Sequence, residues 1–192
     1  MNQRITATCS QIQDLLGEFC RQQNAELTRL ATQMGAMFAG GGQLLIAAGA
    51  AFQPVAQLLS GHFTYRLGFD RPVLPAVTLG SDQMLLTAMM NAGQFDQRLV
   101  RHYRSLGSAR HLLLILNDGS PSNALQLLRD EVMENEQPVA LLTVAREQEP
   151  LCRDGIDICL ELGTDSVPRQ LELALIAGQL LCELVESELF GV

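Results

Sequence analysis

The sequence predicts a single-domain α/β protein built on a mostly parallel sheet that helices cover on both faces. Three observations predict it. Short apolar runs of strand length recur along the chain, segments of helical periodicity lie between them, and the runs are continuously apolar rather than alternating. An alternating strand has one wet face, whereas a continuous apolar run is buried on both, as parallel strands are under their crossover helices. With 192 residues the chain has the size of one domain.

From Ile5 to Phe38 the residues Ile12, Leu15, Leu16, Phe19, Leu27, Leu30, Met34 and Met37 fall at helical spacings between Gln, Glu and Arg. The polar stretch Gln22 to Asn24 leaves two readings, a pair of amphipathic helices or one helix broken there. Gly40-Gly41-Gly42 stops the pattern, and the first apolar run, Gln43 to Ala48, follows. The other runs are Ala76 to Leu79, His111 to Leu116, Val139 to Thr143 and Ile156 to Leu160. Helical patterns occupy residues 52 to 67, 82 to 105, 121 to 135 and 165 to 190. The chain thus divides into N-terminal helices, 1–39, and an α/β core, 40–192.

Hydrophobic residues make up 47% of the chain and charged residues 18%, the balance of a packed globule rather than a disordered chain. A net charge of -8 argues against direct binding to nucleic acid, whose affinity rests on Lys and Arg at phosphates. The five cysteines, Cys9, Cys20, Cys152, Cys159 and Cys182, are scattered without the tight pairing of a zinc site. They read as reduced thiols in a cytoplasmic protein, and no metal site is expected from them. Met1 to Ser10 is mixed polar, unlike a signal peptide, and no apolar run approaches the roughly 20 residues of a membrane span.

Ligands in open α/β sheets bind beyond the carboxyl ends of the strands. That points to the loops Ala48 to Gln53, Gly80 to Gln83, Asn117 to Ser122 and Val144 to Leu151. In the first, Gly49 and Ala50 allow close backbone approach but bring no side-chain donor. In the third, Asn117, Asp118, Gly119, Ser120 and Ser122 follow the clearest strand, and Ser120 can cap a helix with Pro121 at its first position. Such an end attracts anions, yet the Asp118 carboxylate opposes a phosphate there. A cap with an Asp-Gly turn explains the same residues without any ligand. His62 is the candidate general base, although Leu58, Leu59, Tyr65 and Arg66 are its helical neighbours and none is a carboxylate to orient it.

The stretch Arg71-Pro72-Val73-Leu74-Pro75-Ala76-Val77, with Asp82, Leu86-Thr87-Ala88, Asn91, Phe95, Arg101 and Leu106-Gly107, resembles the sugar isomerase (SIS) domain. The nearest branch is that of phosphoheptose isomerase and the DnaA initiator-associating protein. Leu181-Cys182-Glu183-Leu184-Val185-Glu186 and Leu189-Phe190 look like that family's last helix, so the resemblance covers nearly the whole chain. It implies a flavodoxin-like three-layer sandwich with a five-stranded parallel sheet, N-terminal helices that pack in an oligomer, and a dimer or tetramer.

The resemblance also implies where ligands sit, and there this chain departs from the pattern. Gly49-Ala50-Ala51-Phe52 stands where the family has an Asn-Gly-Gly-Ser-like turn, and Leu116-Asn117-Asp118-Gly119-Ser120-Pro121 where it has a Ser-Thr-Ser-Gly-Asn-Ser phosphate loop. The family's His and Glu, four residues apart, fall on Leu58 and His62, and its Gln and His of the last helix on Leu171 and Gln179. Asp82 and Asn91 are kept. These replacements imply loss of the family's zinc site, hence no cofactor. The expected function is a non-catalytic, regulatory homo-oligomer that binds a carbohydrate phosphate or a protein partner such as a replication initiator. The alternative is an active isomerase of the sedoheptulose 7-phosphate type with rearranged residues and His62 as base.

Overall fold

A single unbroken helix, α1 (Gln3–Ala39), opens the chain of the computed structural model, which describes residues 2–107, 110–152, 156 and 158–191. The break expected near Gln22 to Asn24 is absent. Gln23 is itself buried in the stripe formed by Phe19, Leu27, Leu30 and Met34, and glutamine propagates a helix well. The Asn2 side chain caps the helix by accepting the Arg4 N–H at 3.0 Å.

The chain then alternates as expected: β1 (Gln43–Ala48), α2 (Gln53–Thr64) and β2 (Ala76–Thr78). The long helical pattern of residues 82 to 105 resolves into α3 (Gln83–Asn91) and α4 (Arg98–Ser105). Gly93 separates them at φ 67°, a left-handed conformation that a periodicity of apolar residues cannot reveal. After them come β3 (His111–Leu116), α5 (Asn123–Glu134), β4 (Val139–Thr143), β5 (Ile158–Glu161) and α6 (Val167–Phe190).

All five strands are parallel, in the order β2-β1-β3-β4-β5. Alternate residues of each strand feed two cores. Leu44, Ile46, Leu112, Leu114, Leu142 and Leu160 pack against α1, α2 and α6, while Leu45, Ala47, Leu113, Ile115 and Leu141 pack against α4 and α5. This is why the strands read as continuously apolar. The slim stretch Ala174, Ala177 and Gly178 of α6 is buried within the chain, where α6 packs on α2 and Gly178 faces Leu59.

His111 opens β3 in a place that suits only the neutral imidazole. It is 1% exposed, packs edge-on to Tyr103, and burial pushes it below its ordinary value of 6.5. The unfolded chain therefore binds a proton that the fold resists, so stability is full above pH 6.5 and falls as pH drops below it. Urea midpoints between pH 7.5 and 5 are expected to decline for this reason. The His111→Gln variant should show a shallower decline over the same range.

Candidate functional site

A cleft of about 700 Å³ opens at the carboxyl ends of β1, β2 and β3, bounded by the loops after those strands and by α3 and α4. Gly49, Ala50, Asn117, Asp118, Ser120 and Ser122, expected from sequence to meet there, all line it. Gly119 sits in the turn between Asp118 and Ser120. Asp82, also expected there, is not among the residues lining the cleft; it is exposed, and its carboxylate caps α3 by accepting the Leu85 N–H at 2.9 Å. Its neighbours Ser81 and Gln83 reach the cleft.

The floor is held by backbone and amide contacts. The Gly49 N–H donates to the Leu116 carbonyl at 2.8 Å, and a side chain at Gly49 would place its first carbon 2.9 Å from Asn117 Oδ1. Glycine is required there by that close approach. Asn117 faces inward: its Nδ2 donates to the Ser120 carbonyl and to both oxygens of Glu149, each at 3.0 Å. Glu149 is 4% exposed and also accepts from the Thr143 hydroxyl at 2.7 Å and the Leu151 N–H at 3.0 Å. A buried carboxylate is tolerated because each of these partners is a donor. Asn117 thus serves the loop's geometry before any ligand.

Ser122, rather than Ser120, caps α5, accepting the Leu125 N–H at 3.4 Å, so the helix begins two residues later than Pro121 suggested. Ser120 is left exposed in the turn, its N–H donating to Asp118 Oδ1 at 3.0 Å. The Asp118 carboxylate therefore occupies one of the donors that an incoming anion would have used.

Arg98 is the functional candidate that sequence reading missed. It lies in the cleft wall, half-buried, its guanidinium 3.9 Å above the Phe95 ring and donating to the Phe95 carbonyl at 3.0 Å. No carboxylate among the described residues pairs with it at ion-pair distance. It is also the first residue of α4, where the helix dipole disfavours a cation. Burial pulls its pKa down, nearby Asp96 opposing. An anion in the cleft would relieve both penalties. In the sequence Arg98 is hidden inside an ordinary helical pattern, and Glu149 among exposed loop polars.

His62 lies elsewhere. It lines a shallow groove on the outer face of α2 with Leu58, Tyr65 and Arg66, and its carbonyl accepts from Arg71 Nη2 at 2.9 Å. Among the described residues, no three His, Cys, Asp or Glu side chains gather as a metal cluster, and no helix is long and apolar enough to cross a membrane.

A parallel sheet of this order, sandwiched between helices with a long N-terminal helix packed on the last one, is a flavodoxin-like three-layer α/β fold. A solved phosphoheptose isomerase from Francisella tularensis has the same fold, with a TM-score of 0.85 over 96% of this chain and 97% of that one, at 20% identity. In sequence the chain is similar to the phosphoheptose isomerase of Burkholderia pseudomallei, 31% identical over 169 residues, 87% of this chain and 84% of the relative. It is also similar to that of Desulfovibrio desulfuricans, 30% identical over 179 residues, 90% of this chain and 81% of the relative. No family model matches the chain. The chain belongs to the phosphoheptose isomerase family.

Proposed function

We propose that this chain uses its cleft to bind a phosphorylated sugar without isomerising it, acting as a ligand-responsive regulator. The observation that carries the reading is Arg98, a half-buried cation with no carboxylate at ion-pair distance among the described residues, in a cleft whose described lining holds serines and no histidine. Moving a proton between neighbouring carbons needs a base within hydrogen-bond reach. The cleft's lining carboxylate, Asp118, is engaged by the Ser120 N–H, and its charge would sit beside the ligand's phosphate. Zinc does not fit the aligned positions: Leu58 and Leu171 have no donor atoms, and Gln179 is a poor partner for His62. A dimer or tetramer belongs to this reading, supported by the exposed apolar side chains Ile5, Leu58, Tyr65 and Val73.

Titration with sedoheptulose 7-phosphate, alongside a turnover assay, tests it. Binding without turnover is expected. Arg98→Ala should weaken binding roughly tenfold to a hundredfold, the worth of one charge-assisted hydrogen bond, and leave the melting temperature of the free protein within a degree or so. Turnover would establish the competing reading, an isomerase with rearranged residues. In that event His62→Ala decides the mechanism: loss of turnover assigns the base to His62, and retention removes it from the site.

A further inference from the structure

The turn after β2 forms one wall of the cleft, and it is held from behind. The Leu79 N–H makes the last bond from this edge of the sheet to β1, donating to the Ile46 carbonyl at 2.8 Å. The next residue turns away. Gly80 takes φ 81°, and its N–H donates to Nδ1 of His102 on α4 at 3.2 Å. A side chain at Gly80 would put its first carbon 2.9 Å from Leu99 Cδ2, so the turn lies close against that helix. Gly80, Ser81 and Arg98 line the cleft, while His102 is half-buried and is not among the described lining residues.

An imidazole that accepts at Nδ1 carries its one proton on Nε2 and is neutral. Arg98 and His102 are four residues apart on α4, and so lie on one face of the helix. The bond to Gly80 therefore ties the wall that presents Ser81 to the helix that presents Arg98. We propose that His102 is a positioning residue of the cleft: its neutral imidazole holds the turn after β2 against α4 and so sets the separation between Ser81 and Arg98. Its effect on ligand affinity rests on the reading of Arg98 as the group that binds the anion.

Protonation cancels the tie. It puts a hydrogen on Nδ1, and a donor then faces the Gly80 N–H. Among the described residues no carboxylate stands at ion-pair distance to hold the charged ring in place. The carboxylates of the elements packed around α4 and of the turn after β2 are committed elsewhere. Asp82 caps α3, Asp96 accepts from Asn123 at 3.3 Å, Asp130 pairs with Arg129, and Glu131 pairs with Arg104, which Glu134 also attracts. Helix α3 has no charged side chain, the cations of α4 itself are Arg98, Arg101 and Arg104, and the His111 ring of β3 packs on Tyr103. The protonated ring thus gains no partner in place of Gly80.

Amide exchange and ligand binding at about pH 8 and about pH 5, the ends of the range in which histidine ordinarily changes charge, test it. His102→Asn is the rescue variant, since Asn Oδ1 stands as many bonds from the backbone as Nδ1 and accepts at either pH. In the free protein, protection of the Gly80 amide should fall on acidification in the wild type relative to His102→Asn, and His102→Leu should lack it throughout. Sedoheptulose 7-phosphate should bind His102→Leu about five- to tenfold more weakly than the wild type at the upper pH, and His102→Asn should recover that loss. At the lower pH the wild type should drop to the level of His102→Leu. The ligand's phosphate takes up its own proton over this range, and His111 titrates in all three proteins, so comparison at one pH cancels both. A Gly80 amide equally protected in all three at the upper pH, or a ratio of wild type to His102→Asn that does not change with pH, overturns the proposal. A Gly80 amide that responds while the three affinities coincide overturns the coupling to the cleft. If none of the three binds the sugar phosphate, the reading of the cleft fails, and Gly80 exchange alone decides whether His102 holds the turn.

Discussion

Glu186→Ala is expected to lower the unfolding free energy by about 3–5 kcal/mol, the cost of stripping one partner from a buried ion pair. Arg71 has no exposed side-chain surface and Glu186 5%, and their Nε to Oε1 contact is 2.6 Å. The guanidinium is consumed completely. Nη1 donates to the Phe63 and Pro72 carbonyls, and Nη2 donates to the His62 carbonyl and the Cys182 sulfur. One side chain thereby ties the end of α2, the segment leading to β2 and the inner face of α6. Removing the carboxylate leaves a cation in an apolar setting, and the fold must hydrate it or open.

Urea denaturation reads the loss as a lower midpoint at an unchanged slope. At about 2–4 °C per kcal/mol for a chain of this size, the melting temperature should fall by roughly 10 °C. Arg71→Lys should not preserve stability, because a compact ammonium cannot span acceptors arranged for a planar fork. A double variant, Arg71→Met with Glu186→Leu, should recover most of it, since apolar groups of similar volume need no pairing. A loss below about 1 kcal/mol for Glu186→Ala would place the pair in the range of solvated ones and exclude this account.

The second large effect is expected at Glu149. Its removal deprives the Asn117 amide, the Thr143 hydroxyl and the Leu151 N–H of their acceptor at once. Hydrogen bonds to a charged group are worth about 1.5–3 kcal/mol each and buried orphans cost further, so Glu149→Ala should cost about 3 kcal/mol even after the loop relaxes. Glu149→Gln should be nearly as damaging. All three partners are donors, and an amide offers them one acceptor and turns a donor toward another. Amide exchange at Leu151 and Asn117 is the specific readout: both should accelerate well beyond the global loss of stability. Unchanged exchange at Asn117 would mean that Glu149 does not fix the cleft.

Much of the fold was legible because its signal is additive along the chain. Runs such as Leu112-Leu113-Leu114-Ile115-Leu116 must bury both faces, and the sequence positions of the helices between them follow from periodicity. The details that failed were those a periodicity averages over. Gln23 looked like a break because it is polar, yet it lies on the inner face of α1 and continues the stripe. Ser120 and Ser122 are equally good caps in a sequence; the Asp118 turn engages the Ser120 N–H and leaves the cap to Ser122.

The cleft was legible as a place. Strand ends locate it, and Gly49, Asn117, Asp118, Ser120 and Ser122 do converge there. Its chemistry was not. Arg98 acquires meaning only when α4 is turned toward the strand ends with no carboxylate of the described residues pairing it, and Glu149 only when the loop after β4 folds back under Asn117. The layered parallel fold, the family resemblance and the loops that border the site can be read from the residues in order, because burial pattern and turn residues are local properties. Which polar groups meet was left to the tertiary structure, since Arg71 with Glu186 and Asn117 with Glu149 are joined across long stretches of chain that no spacing encodes.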